Sequence, residues 1–449
     1  MRVPTKFAAL ALLIAAPVLA RGSTSPQVSP APQVSAARLR ADVAALVAFG
    51  TRHTLSSPDD PKRGIGAARR WAEAEFRKTS AACGGCLELA LPETVVTGER
   101  LPQPAKIIDV VAIQRGTQRP NEVVIVQGHI DSRVSDVMNA VADAPGANDD
   151  GSGTALVLEA ARVLSQRKYP VTIVYAILSG EEQGLFGGKL LADYAKAQGW
   201  TVKAVLNNDI VGNTRGSDGL VDNAHVRVFS EGPRADAKDA QRGAARRFGG
   251  ENDSPSRNLS RYAAALAGPG AGGLSVRQVW RADRMGRGGD HLPFQDMGVP
   301  AIRFSVAVEN YDHQHQDLRR ERGVEYGDTI AFMDFAYLAK VTRLNLAMLD
   351  RLARSPLPPV VSVEAAVQTF TLLKWSPSSG AVGYNLWQRR TDAAVWSKVR
   401  RVAGTVDELK LPGVRGDDWF FGVSALAADG AESPVASGVP GGAFVQSAR

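Results

Sequence analysis

Carboxylates and imidazoles recur at the ends of apolar runs in this chain. These are the side chains that hold a divalent cation and move protons beside it. The first such place is Gln127-Gly128-His129-Ile130-Asp131. Residues two apart in an extended segment point the same way, so Asp131 can support one ring nitrogen of His129 while the other meets a metal. The second is Pro145-Gly146-Ala147-Asn148-Asp149-Asp150-Gly151-Ser152-Gly153, just before a helical pattern. Its glycines permit a tight turn, and a carboxylate there could bridge two cations or simply cap the helix. The third, Ser179-Gly180-Glu181-Glu182, sets two adjacent carboxylates after a wholly apolar run, which is costly without compensation. A metal would let one ligate and the other take a proton from water. Asp209 stands between apolar residues in Asn207-Asn208-Asp209-Ile210. Glu309 to Asp317 then carries His313 and His315, two of the six histidines, either of which can ligate. Each piece alone also fits an ordinary role: a hydrogen-bonded core pair, a helix cap, an acidic turn. Together they set ligand candidates at successive segment ends, followed by a late histidine, as a shared metal site requires.

The intervening segments supply the elements that must position these groups. Apolar runs of strand length (107–113, 123–127, 171–178, 202–206, 226–229, 300–306) alternate with helical patterns (154–166, 185–198, 235–248, 257–266, 329–352). Continuous apolar strands alternating with helices predict a three-layer α/β domain around a mainly parallel mixed sheet. In such a sheet, sites form beyond the carboxyl ends of the strands. A further helical pattern, 37–78, is broken around 55–61 by Ser, Asp and Pro. After the proline-rich stretch 356–359 the texture changes to short β-rich runs (369–375, 381–389, 395–402, 419–425), which predict a small β-sandwich.

Residues 1–20 have the plan of a secretory signal peptide: Arg2 and Lys6, an apolar run from 7 to 16, and Val18-Leu19-Ala20 as a cleavage signal. The run is too short to span a bilayer comfortably. The expectation is an exported protein, periplasmic or secreted, without a stable membrane anchor. Residues 21–36, rich in Ser, Pro, Ala and Gln, read as a disordered lead-in. The formal charge is +7, but the basic residues are spread along the chain, which speaks against a nucleic-acid partner. Cys83 and Cys86 are the only cysteines, too few for a four-cysteine zinc site. They follow a helical pattern rather than the strand of a redox motif, so a structural disulfide is expected.

The ordered set Gly128-His129-x-Asp131, Pro145-Gly146-Ala147-x-Asp149-Asp150-Gly151-Ser152-Gly153, Gly180-Glu181-Glu182-x-Gly184, Asn208-Asp209 and the late histidine resembles the co-catalytic two-zinc aminopeptidases, of the bacterial leucyl aminopeptidase and glutamate carboxypeptidase II type. Asp290-His291-Leu292-Pro293-Phe294 and Gly298-Val299-Pro300-Ala301 resemble a further segment of that family. The resemblance covers residues 37–352. It implies a phosphorylase/hydrolase-like α/β/α fold and two Zn2+ per chain. His129, Glu182, Asp209 and a late histidine would be ligands, with Asp149 bridging. By the same resemblance Glu181 would be the general base, Asp131 the supporting carboxylate, and His291 a neighbour of the site. The family usually shows a single late histidine. Here His315 is preferred and His313 kept, because His313 has Asp317 at the family spacing. The expected substrate is a peptide, attacked at its N-terminal bond by water activated between two metals, with Glu181 as proton carrier. A carboxypeptidase or dipeptidase of the same family, a glutaminyl cyclase-like enzyme using one zinc, and a non-enzymatic binding protein are the competing functions. The expected domains are therefore a zinc peptidase over 37–355 and, over 356–449, a module resembling fibronectin type III. A carbohydrate or protein surface is the partner open to that module.

Overall fold

Apolar runs without polar alternation make strands that are covered on both faces, and strands of this kind form the centre of an eight-stranded sheet in the computed structural model, which describes residues 33–444. They are β1 (Glu88–Ala90), β2 (Val110–Gln114), β3 (Arg119–His129), β4 (Val171–Leu178), β5 (Thr201–Asn208), β6 (His225–Phe229), β7 (Ser275–Val279) and β8 (Ala301–Val306). Their order is β1-β2-β4-β3-β5-β8-β6-β7. The four at the centre, β4, β3, β5 and β8, are mutually parallel. On the flanks, β2 runs antiparallel to β4 and β6 antiparallel to β8.

Alternate residues of these strands feed two cores. On one face Val124, Val126, Ile173, Tyr175, Ala204, Leu206 and Phe304 pack under α1 (Ala36–Val47), α2 (Gly64–Ala82), α3 (Gly151–Leu164), α6 (Pro255–Leu266) and α8 (Phe335–Arg354). On the other, Val123, Ile125, Val174, Ala176 and Leu178 meet Leu191, Ala192 and Ala195 of α4 (Phe186–Ala197) and Phe294 of α7 (Leu292–Asp296). The period of two across the strands is what makes three layers. The fold is thus the expected α/β/α arrangement with a mixed sheet. α5 (Asp239–Phe248) has no buried residue and lies outside both cores.

Several boundaries differ from the sequence pattern. The run 107–113 is two strands, not one. A hairpin of Glu93–Gly98 and Leu101–Ile108 forms its own sheet, and Asp109 breaks the run before β2. The Asp109 carboxylate is fully buried and accepts from the amide of Ser179, which pins the chain where it changes sheets. The helix expected over 329–352 starts only at Phe335. A short turn at Ile330–Phe332 precedes it, and Asp334 caps it by accepting from the amide of Tyr337. The signal peptide and most of the lead-in lie outside the described residues. Ser35, counted in the lead-in, already caps α1 and donates its amide to the buried carboxylate of Glu159. Cys83 and Cys86 are joined as a disulfide. Among the described residues no helix is long and apolar enough to cross a membrane.

After α8 come a three-stranded sheet (Val361–Glu364, Phe370–Trp375, Glu408–Pro412) and a four-stranded one (Gly383–Arg390, Ser397–Ala403, Trp419–Leu426, Ala436–Ser437), all antiparallel. They enclose one core around Leu373, Trp375, Tyr384, Leu386, Phe421 and Val423. The proline-rich stretch before them is not a free tether. The fully buried ammonium of Lys203 donates to the carbonyls of Leu352, Ser355 and Pro356. The sandwich is also fastened to α6 and its approach: Arg389 pairs with Asp253 at 2.5 Å, Trp396 donates to Asn258, and Tyr262 donates to the carbonyl of Glu432.

Candidate metal centre

Because β4, β3, β5 and β8 are neighbours and parallel, their carboxyl ends open on one edge of the sheet, and the chain leaving each carries a candidate group. His129 is the last residue of β3. Glu181 and Glu182 follow β4 after Gly180, whose positive φ of 79° turns the chain. Asp209 directly follows β5. The loop after β8 delivers His315. Asp149 comes from the turn before α3, where its neighbour Asp150 does the capping. The carboxylate of Asp150 accepts from the amides of Gly153 at 2.8 Å and His129 at 3.1 Å, locking the turn to the end of β3. Gly153 is required by close approach: a Cβ there would lie 2.1 Å from the carbonyl oxygen of Asn208.

The six side chains form two acid–imidazole groups. His129, Glu181 and Asp209 offer ligand atoms within 4.8 Å of one another, and so do Asp149, Glu182 and His315. Asp149 touches both groups, with Oδ1 3.2 Å from Nε2 of His129 and Oδ2 2.9 Å from Nε2 of His315. Nε2 of His315 is also 3.1 Å from Oε1 of Glu182. Each group has a guanidinium on the outer oxygen of one carboxylate: Arg303 on Oδ2 of Asp209 at 2.9 Å, and Arg133 on Oε2 of Glu182 at 3.0 Å. The inner oxygens, Oδ1 of Asp209 and Oε1 of Glu182, are buried without a hydrogen-bond partner, as is Nε2 of His129. Converging lone pairs of this kind, oxygen from carboxylates and nitrogen from imidazoles, are what a divalent cation such as zinc takes. The donor set fits two such ions.

The electrostatics agree with that fit. Burial alone would lower the pKa of both imidazoles, but surrounding carboxylates outweigh it. His129 is held well above the usual histidine range by Glu181, Asp131, Asp149 and Asp209, and His315 is raised to about 9 by Glu182 and Asp149. Sites that draw a proton onto two imidazoles are sites that draw positive charge. Loss of water around Glu181 pushes its carboxyl well up. His129 opposes this, and the charges of Asp209 and Glu182 add to it.

The two late histidines are separated by the loop. His315 has a positive φ of 56°, which turns its ring into the second group. The ring of His313 instead stacks on Phe332 with centroids 3.6 Å apart, outside both groups. Asp131 supports the site in a way the sequence did not suggest. Nδ1 of His129 faces the backbone carbonyl of Asp131 at 3.1 Å, while the nearest carboxylate oxygen is 3.6 Å away. The carboxylate accepts instead from Thr54 and from the amides of Glu181 and Glu182, so it fixes both glutamates. His291 is buried behind Arg303, with Nε2 against the carbonyl of Ala282 at 2.8 Å and near Asp283.

Several positioning residues carried no spacing signal. Arg52, fully buried, donates to the carbonyls of Ile130, Pro145 and Gly146 and so ties the His129 and Asp149 loops together. Asp328 accepts from the amides of Asn148 and Asp149. Gln314 donates to Oδ2 of Asp149 at 3.0 Å. Arg303 lies within β8 and links Asp209 to Asp283. An arginine between Ile302 and Phe304 in an apolar strand needs a buried partner, and that was the available clue. A cavity of about 480 Å3 opens onto the two groups.

Residues 109–322 match peptidase family M28. A probable zinc metalloprotease of Leptosphaeria maculans is 43% identical to this chain over 416 residues, covering 91% of this chain and 96% of that protein. A match of that extent cannot fit before Pro356, so it includes part of the C-terminal sheets. The LapA aminopeptidase of Legionella pneumophila superimposes with a TM-score of 0.52 at 20% identity, over 71% of each chain. A glutaminyl cyclase of Fimbriiglobus ruber does so with a TM-score of 0.50 at 18% identity, over 74% of this chain and 99% of that one. Likeness at that level of identity establishes a common fold and nothing finer.

Proposed function

The chain belongs to peptidase family M28, and we propose that within it this protein is an exported zinc-dependent aminopeptidase. It would hold two zinc ions on His129, Asp149, Glu182, Asp209 and His315, and use Glu181 as general base. The observation that carries this reading is the pair of acid–imidazole groups joined by Asp149, whose inner atoms are buried and face one another. The second group is also what favours a peptidase over a one-metal cyclase.

Zinc bound there supplies Lewis acidity, acidifying a water and polarising the scissile carbonyl. The remaining work falls to the chain. Glu181, a member of the first group, lines the cavity, where a proton taken from water can pass to the leaving amine. Asp131 holds the backbone of Glu181 and Glu182, so the two adjacent carboxylates keep different directions. Arg133 and Arg303 take the outer oxygens of Glu182 and Asp209, leaving the inner ones aimed inward. Export is supported by the leader pattern of residues 1–20.

Elemental analysis with paired variants tests the reading. The wild type should carry two zinc ions and release N-terminal residues from unblocked but not from acylated peptides. Glu181→Gln should keep both ions and lose about 10²- to 10⁴-fold in rate. Glu182→Gln should lose metal as well as rate. Near-normal turnover in Glu181→Gln, or metal loss in that variant alone, overturns the assignment of the two glutamates. Equal cleavage of acylated peptides overturns the aminopeptidase.

A further inference from the structure

The walls of the cavity over the metal centre are unusual in composition. Ligand pockets are mostly apolar with a few polar groups. Here, among the described residues, Leu185 is the only aliphatic residue in the lining, beside the glycines Gly184, Gly286 and Gly288. Asp149, Glu181, Glu182 and Asp209 belong to the two acid–imidazole groups. Every other charged group in the lining apart from His315 is a guanidinium: Arg100, Arg133, Arg284 and Arg287.

These four arginines are not equally committed. Arg284 is spent: its three nitrogens donate to Asp283, Glu309 and the carbonyl of Gly288. Arg133 gives two nitrogens to Glu182 and His315. Arg287 uses Nη1 alone, on Glu309 and Gln314; among the described residues its Nη2 and Nε have no partner, and its side chain is 29% exposed. Arg100 is freer still. Among the described residues its only side-chain bond is from Nη1 to the backbone carbonyl of Glu182 at 2.9 Å, and it pairs with no carboxylate there. The two least committed guanidiniums thus come from different segments, the hairpin before β2 and the loop between β7 and α7, and both line the same cavity.

Guanidinium donors match the two oxygens of a carboxylate better than any neutral group. We propose that Arg100 and Arg287 bind a carboxylate of the substrate, so that the preferred substrates are peptides with an anionic group close to the bond that is cut. This rests on the peptidase reading for the reaction but not for the binding. The carboxylate can be an acidic side chain or the free C-terminus of a short peptide. The wall agrees with this: among the described residues Leu185 is the one aliphatic residue lining the cavity, so a large apolar side chain has little to pack on beyond it and the carbon stems of the arginines.

Titration calorimetry with the zinc-loaded Glu181→Gln protein decides the matter without turnover, alongside kcat/KM on the wild type. One arm compares Ala-Glu-Ala-amide with Ala-Gln-Ala-amide; the other compares Ala-Gln-Ala with a free and an amidated C-terminus. A charge-assisted contact predicts at least about tenfold tighter binding in one arm, weakened by salt. The arm that responds identifies the source of the carboxylate. In Arg100→Gln and Arg287→Gln the ratio within that arm should fall towards one. Equal affinity in both arms overturns the proposal, as does a preference that survives both substitutions. Cleavage without any acid preference would sink this inference and leave the peptidase standing. Preferential binding with no peptide cleaved would do the reverse.

Discussion

Replacing Arg389 by methionine removes the cation that ties the C-terminal sandwich to the segment entering α6. Its partner Asp253 has a side chain only 1% exposed, and Arg389 itself is 3% exposed. Breaking a buried pair of this kind costs roughly 3–5 kcal/mol, because the remaining charge stays out of water. Asp253 keeps a second guanidinium, Arg261 at 3.3 Å, so the low end applies, about 3 kcal/mol. That is a large share of the roughly 5–15 kcal/mol that holds a typical domain folded. Urea unfolding followed by fluorescence and far-UV circular dichroism measures it. Trp375, Trp387, Trp396 and Trp419 report on the sandwich, while Trp71, Trp200 and Trp280 report on the α/β part. With the interface intact the two probes should trace one transition, and Arg389→Met should move both. Adding Asp253→Asn removes the stranded charge, so the double variant should be less destabilised than the two single costs added together. A change below about 0.5 kcal/mol in Arg389→Met, within the range of an ordinary surface substitution, would refute the reasoning. So would additive losses in the double variant. Independent transitions would return the sandwich to the status of a tethered module.

Arg303→Met leaves Asp209 and Asp283 without their shared cation. Stability of the metal-free protein should fall by roughly 3–5 kcal/mol in urea, with Arg303→Lys recovering only part, since an ammonium cannot fork between two carboxylates. His315→Ala should lose zinc, whereas His313→Ala, which removes a ring stacked on Phe332, should keep it; full zinc in His315→Ala, or equal loss in both variants, would refute these roles. Burial pushes the carboxyl of Glu231 up to about 7 from its usual 4.5, against hydrogen bonds from Ala235 and Ser256. The folded chain therefore binds this proton more tightly than the unfolded one. Its contribution, roughly 3 kcal/mol at most, is complete below pH 4.5 and lost as the pH rises through 7. Denaturation midpoints measured from pH 4.5 to 8 should flatten in Glu231→Gln relative to the wild type; parallel curves would exclude the effect.

What the sequence disclosed of this site follows from how each group is positioned. His129, Glu181, Glu182 and Asp209 sit at or just beyond strand ends, and a strand is visible as an apolar run, so the rule that sites gather at carboxyl ends of parallel strands finds them. The layering was legible for the same reason, whereas the break at Asp109 was not, because one buried acid inside an apolar run looks like a strand until its partner, the amide of Ser179, is known. The late histidines show where such reasoning stops. Spacing of two places side chains together only in extended chain. At His315 the backbone takes a positive φ of 56°, and the two rings part. Asp131 was found by that same spacing, yet its carboxylate works on the amides of Glu181 and Glu182, which are distant in sequence.

The same cost governs the arginines. An unpaired charge in an apolar run is as costly for a cation as for an anion, and Ala301-Ile302-Arg303-Phe304 states that cost as plainly as Ser179-Gly180-Glu181-Glu182 does. Arg303 answers it with two buried carboxylates. Arg100 and Arg287 are different, because nothing local marks them. They stand in a hairpin turn and an irregular loop, where a long cationic side chain is ordinary and its direction depends on contacts far along the chain. Arg287 is aimed by Glu309 and Gln314, and Arg100 by the carbonyl of Glu182. The chemistry at the strand ends is therefore written in local pattern. The chemistry of the cavity wall, which decides what the site accepts, is written in the way three separate segments meet above the sheet.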